Sequence, residues 1–240
     1  MNPQWKEKLI DGRQLMLLLV LGRMFSMMTY SPGKEAVPGS VTLAAQLPAL
    51  AAELALLFPA FWLVGRLGGK GLLEAALERS PLTGRFCTLV CLGVCWLQAA
   101  QTITVQTDFL TGTIYRLPHR MGLLLALWGG ILYVVWLGLE SFARLSVGVF
   151  AVFVLLVAAL ALQGIPNLDP MNLHNPLAEG FAPLAKGGAL SVARCGELSA
   201  AVLLIPAVRD KTHGWSVKAC LLWTGFTLAV SFLTLTVLGN

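Results

Sequence analysis

The stretch GGALSVARCGELSAAVLLIPAV, residues 187–208, decides the fold. It is an apolar run of about 20 residues, enough to cross a hydrocarbon core of about 30 Å as a helix. Its middle nevertheless holds Arg194, Gly196 and Glu197. An arginine or acidic residue at the centre of a membrane helix costs about 2.5 to 3.5 kcal/mol even on lenient scales. A sequence that keeps such residues there has a structural or functional use for them.

Six similar runs surround this one. They cover residues 14–31, 41–65, 86–106, 121–139, 145–163 and 219–238. Between them lie short stretches holding most of the charged residues. Only 12% of the chain is charged and 57% is hydrophobic, against about 25% charged in an average globular protein. This excludes a soluble enzyme, a secreted disulfide scaffold and a disordered tail. The expectation is an all-α polytopic membrane protein of about seven transmembrane helices, because backbone groups in lipid must be satisfied within each segment.

The bias of basic residues orients the helices. With the N-terminus in the cytoplasm, eleven fall on the inner side: Lys6, Lys8 and Arg13, then Arg66, Lys70, Arg79 and Arg85, then Arg144, then Arg209, Lys211 and Lys218. Only Lys34, Arg116, Arg120 and Lys186 fall outside. That imbalance places the N-terminus inside, and seven spans then leave the C-terminus outside. The net charge of +5 is spread over helix ends and forms no basic face for nucleic acid. Residues 67–78 have apolar positions at helical spacing with Glu74 and Glu78 opposite, which predicts a short interfacial helix on the cytoplasmic face. The Pro- and Asn-rich residues 164–183 predict an extended outer loop.

Other ionisable residues also stand at mid-depth. Arg23 is about 12 Å from either end of the first span at 1.5 Å per residue, and Glu53 is near the middle of the second. Two readings are open. Arg23 pairs with Glu53 or Glu197, and Arg194 with Glu197, to fix helix packing; or these groups serve a substrate or proton pathway. Gly22 precedes Arg23, and Gly196 separates Cys195 from Glu197. Glycine and charge at mid-depth predict discontinuous helices in spans one and six. Those spans are five apart and would correspond in an inverted repeat, the usual place of a transport site.

In span three, Gln98, Gln101 and Thr102 fall on one helical face and are candidates to line a cavity. Cys87, Cys91 and Cys95 recur at i+4 spacing without a fourth ligand and read as small packing residues, not a metal site. The five cysteines, with Cys195 and Cys220, make no disulfide framework. No nucleotide loop, catalytic Ser/His/Asp pattern or zinc motif is present, so neither an enzyme nor a cofactor is expected.

Several stretches together resemble one family. GLESFARLSVGVF (138–150), IPNLDPMNL after span five, CGELSAAVLLIPAV (195–208), RLPHR before span four and Gln14 in GRQLMLLLVLG are similar, in their order along the chain, to stretches of the spore germination permease-like B subunits. The resemblance covers essentially the whole chain. It implies the fold of the amino acid–polyamine–organocation superfamily, with two inverted five-helix repeats and a site at the broken first and sixth helices. Residues 1–163 would form the first repeat, 164–186 an outer loop, and 187–240 a partial second repeat, about three helices short.

The resemblance further implies a membrane subunit of a germinant receptor that senses a small nutrient such as an amino acid. It would work beside an A and a C subunit in a bacterial cell membrane or inner spore membrane. Carried onto this chain, the ligand site would be Gly22, Arg23, Ser26, Arg194, Gly196 and Glu197, with Glu53 and Glu197 as ion-pair or proton-carrying residues. The rival readings are a proton-coupled amino-acid permease and a remnant that packs without binding anything.

Overall fold

The structure, a computed structural model, describes residues 10–28, 39–66, 70–115, 120–169, 180–193, 195–208 and 212–238. They are almost entirely helical. In chain order the helices are α1 (Gly12–Met28), α2 (Gly39–Arg66), α3 (Leu72–Arg79), α4 (Pro81–Phe109), α5 (Arg120–Leu137), α6 (Leu139–Gly164), α7 (Phe181–Ala193), α8 (Glu197–Leu203) and α9 (Thr212–Leu238). A π-helical turn, Leu110–Tyr115, extends α4, and one 3-10 turn follows each of α6 and α8.

Four of these segments are long and apolar enough to cross a membrane: Ser40–Ala60, Pro81–Gly112, Leu139–Asn167 and Gly214–Val237. Met121–Leu137 is apolar but shorter. The outward faces of α4, α5 and α6 are greasy, with Trp96, Trp136 and Leu155 all largely exposed. Such a surface suits lipid and would aggregate in water. Threonine hydroxyls in these helices turn back on their own backbone: Thr88 donates to the Gly84 carbonyl, Thr104 to Ala100 and Thr107 to Ile103, at 2.7 to 2.9 Å. Each hydroxyl is thereby satisfied without water.

Helices α1, α2, α7, α8 and α9 form the core, with α6 packed on α1. Leu15 and Leu19 of α1 meet Ala219, Cys220 and Trp223 of α9 in one buried cluster. Helices α2 and α7 approach through small residues. A Cβ on Gly188 would stand 3.6 Å from the Ala45 carbonyl and 3.7 Å from the Pro48 ring. Without a hydrophobic drive between helices in lipid, such close backbone contact supplies the attraction.

Several contacts gather one end of the bundle. The Ile10 amide donates to the Ala207 carbonyl at 3.1 Å, and Ile10 pairs with Val208 in a parallel bridge. The Trp215 indole lies directly on Gly12, and Pro206 packs on Gly71 beside α3. Helix α3 folds back on α4 so tightly that a Cβ on Gly84 would fall 2.5 Å from the Leu77 Cα. Ser80 caps α4 by accepting from the Thr83 amide, with Pro81 in the first turn. Arg13 of α1, Arg79 of α3, Arg85 of α4 and Lys218 of α9, all expected above on the cytoplasmic side, belong to elements that meet at this end.

The sequence boundaries need several corrections. The segment around Glu140 and Arg144 is not a loop between spans. Gly138, at φ +84°, alone separates α5 from α6, and Glu140 and Arg144 form an ion pair one turn into α6. Residues 181–186 belong to α7, so Gly187 and Gly188 stand inside a helix and do not open one. At the other end of that expected outer loop Gly164 closes α6 and Ile165–Asn167 form the 3-10 turn, and residues 170–179 lie outside the described residues. A short helix, α3, stands where the sequence predicts one.

Candidate functional site

Arg23 sits two-thirds of the way along α1, and its side chain is 1% exposed. Its Nη2 donates to Glu53 Oε1 at 3.2 Å, to the Ser191 carbonyl at 2.8 Å and to Ser191 Oγ at 2.9 Å. Glu53, on α2 and 2% exposed, accepts a second bond from the indole of Trp223 on α9 at 2.9 Å. One ion pair therefore ties four helices together: α1, α2, α7 and α9. The packing reading of Arg23 and Glu53 is present in the geometry. Each charge is buried with an opposite charge and further hydrogen bonds, which interior charges require.

Three atoms of this cluster remain without a hydrogen-bond partner among the described residues. They are Arg23 Nε, Arg23 Nη1 and Glu197 Oε2, all buried. Glu197 opens α8 and is near enough to feel the Arg23 charge. It lies against α1 where Gly22 makes room. A Cβ on Gly22 would come within 3.3 Å of Glu197 Cγ. Gly22 and Phe25 are exposed and Ser26 is half-buried, so this stretch of α1 reaches the protein surface.

The sixth apolar run is broken, as its charges and glycine predict. Helix α7 ends at Ala193 and α8 starts at Glu197. At the break the Cys195 amide bonds the Val192 carbonyl, and the Gly196 carbonyl accepts from the Ser199 amide and hydroxyl. Gly196 lets the Gln98 side-chain amide of α4 come close, 1.8 Å from where a Cβ would stand, so a larger residue there would push that amide aside. The expected pairing of Arg194 with Glu197 on one unbroken helical face does not apply to an interrupted helix. Arg194 itself lies outside the described residues.

The first span departs from expectation. Helix α1 runs unbroken through Gly22 and Arg23. The guanidinium finds its partners on α2 and α7, so the backbone of α1 need not unwind to satisfy it.

On the far side of the break is a groove of about 660 Å³ between α2, α3, α4, α7 and α8. Gln98, Gln101, Cys195, Gly196 and Ser199 provide most of its polar edge, and leucines and valines the rest. Thr102 does not line it; its hydroxyl bonds the Gln98 carbonyl at 2.9 Å. Of the expected ligand residues among those described, Gly196 lines this groove, and Gly22, Arg23, Ser26 and Glu197 do not. Cys91 and Cys95 face the groove and are not packed in the protein interior, another correction.

Sequence reasoning missed Ser191 and Trp223. The signal for Trp223 was available: an indole N–H within an apolar helix needs an acceptor, and Glu53 was the acid at matching depth. Ser191 had no distinguishing signal. Compared with protein-family models, curated proteins and solved structures, the chain matches none.

Proposed function

We propose that this chain is an integral membrane subunit of a spore germinant receptor, sensing a small zwitterionic nutrient such as an amino acid. The observation that carries the reading is the set of unpartnered buried atoms beside the broken helix. Arg23 offers two donor nitrogens, and Glu197 offers one oxygen. Left unpaired, buried polar atoms of this kind cost about 1 to 3 kcal/mol each. A ligand carrying a carboxylate and an ammonium group satisfies both sides. Its carboxylate pairs with Arg23 Nε and Nη1, its ammonium with Glu197, and Gly22 and Ser26 flank it.

The Arg23–Glu53 pair then acts as the anchor that holds the guanidinium in place. Ligand binding would be felt at once by α1, α2, α7 and α9, which suits a subunit passing a signal to A and C partner subunits. In this reading the chain crosses the membrane seven times with its N-terminus in the cytoplasm, and residues 187–240 belong to the second repeat of the permease fold. The broken α7–α8 segment supports that fold, and the unbroken α1 departs from it.

A second reading has one observation in its favour. Two carboxylates, Glu53 and Glu197, face a single arginine, so the buried cluster has an acid left over to carry a proton. A proton-coupled amino-acid permease would use it.

The test is the thermal stability of the purified chain against a panel of amino acids. A ligand at 100 times its Kd stabilises the folded state by about 2.7 kcal/mol. Glu197→Gln, which keeps shape and removes the ammonium's counter-charge, should erase the stabilisation while the protein still folds. No amino acid raising the melting temperature, or an unchanged response in Glu197→Gln, sinks the proposal. Uptake into liposomes separates the readings: a receptor binds without accumulating ligand, and a permease accumulates it when a proton gradient is imposed.

A further inference from the structure

The groove beyond the helix break is unlike the charged cluster at Arg23. Its walls are apolar, including Leu56 and Leu57 of α2, Val94 and Leu97 of α4 and Val202 of α8. Its volume of about 660 Å³ lies in the range of small-molecule sites, about 300 to 1,000 Å³. Leu56, Val94 and Leu97 are exposed on α2 and α4, within two of the segments apolar enough to cross a membrane. The groove therefore opens sideways toward lipid.

One end is closed by Leu72 and Leu73 of α3, the short helix at the basic end of the bundle. There Arg66 ends α2, Arg79 ends α3 and Arg85 stands early in α4, all exposed. Arg66 lies over the Trp62 ring at 4.0 Å, the pairing of indole and cation found at membrane surfaces. The acids of α3 beside these arginines are Glu74 and Glu78, and Glu78 is already taken by Lys70 at 2.6 Å. The balance is positive. A greasy slot leading from lipid to a cationic rim matches a molecule with a long apolar tail and a negative head.

We propose that the groove between α2, α3, α4 and α8 binds one anionic phospholipid. An acyl chain runs between α2 and α4 toward Gln98 and the broken helix, and the phosphate head lies at the Arg66, Arg79 and Arg85 rim. The lipid fills the groove beside the break and props α4 against α8, where Gln98 touches Gly196. The inference rests on the membrane placement of α2 and α4 and is independent of what Arg23 and Glu197 bind.

The test uses the full chain in detergent with phosphatidylglycerol or phosphatidylcholine of the same acyl chains, and needs no amino acid. Cys91 and Cys95 line the groove, and Cys87, on the same helix, does not. Phosphatidylglycerol should slow alkylation of Cys91 and Cys95 several-fold, leave Cys87 unchanged and raise the melting temperature saturably. Phosphatidylcholine should do so only at much higher concentration. Val94→Trp, which fills the groove, should remove the thermal response, and Arg79→Gln with Arg85→Gln should equalise the two lipids. Equal slowing at all three cysteines, equal potency of the two lipids on the unmodified chain, or a thermal response that survives Val94→Trp overturns the proposal.

Discussion

Removing Arg23 should destabilise the protein more than removing its partner, and removing both should restore much of the loss. Arg23→Met replaces the guanidinium with an apolar chain of similar length. It deletes the bonds to Glu53 and Ser191 and strands two carboxylates, Glu53 and Glu197. Breaking a buried pair by deleting one member costs about 3 to 5 kcal/mol, and two stranded acids place Arg23→Met at the upper end. Glu53→Gln leaves the Trp223 bond an acceptor and leaves Arg23 with Glu197 nearby, so its cost belongs at the lower end, about 3 kcal/mol. In Arg23→Met/Glu53→Gln no ion pair remains to be broken, and the double variant should recover more than half of the Arg23→Met loss. The assay is reversible unfolding in mixed micelles, read as a double-mutant cycle. Additive costs, or an Arg23→Met cost below about 1 kcal/mol, the typical worth of an exposed pair, would refute the claim that this ion pair ties the bundle together.

Gly138→Ala places a Cβ on a backbone at φ +84° and ψ 165°, a region open essentially to glycine alone. It should cost about 1 to 3 kcal/mol, read as a lowered unfolding midpoint, and a midpoint unchanged from the parent would show that α5 and α6 are not held at that angle. Glu78 beside Lys70 holds the ammonium above its usual value. A raised lysine contributes fully below its unfolded value, and the contribution fades only as pH climbs through the raised one. A spin label at Glu74 should therefore report constant α3 mobility from about pH 6 to 9, below the usual lysine value, and increased mobility in Lys70→Met. Loosening of the parent protein within that window would contradict the ion pair.

Length and polarity of the apolar runs determined that the chain is helical and that several helices are fit for lipid, because hydrogen bonding in hydrocarbon leaves a segment few alternatives. The break in the sixth run was legible too, since Arg194, Gly196 and Glu197 cannot share an ordinary mid-membrane turn cheaply. So was α3, from the spacing of its leucines. Gly138 shows the limit: it terminates α5 within a single residue, where charge patterning at Glu140 and Arg144 suggested a loop.

Only the tertiary structure decided the partners. Glu53 and Glu197 were equal candidates for Arg23, and the choice of Glu53 depends on Trp223 and Ser191 closing around that pair from helices distant in sequence. Gly22 and Gly196 carried the same local signal, yet α1 stays helical and the sixth run does not. Gly22 answers the approach of Glu197, whereas Gly196 answers the Gln98 side chain. The pairing of two buried charges is set by which helices meet, and the order of residues along one helix does not contain that information.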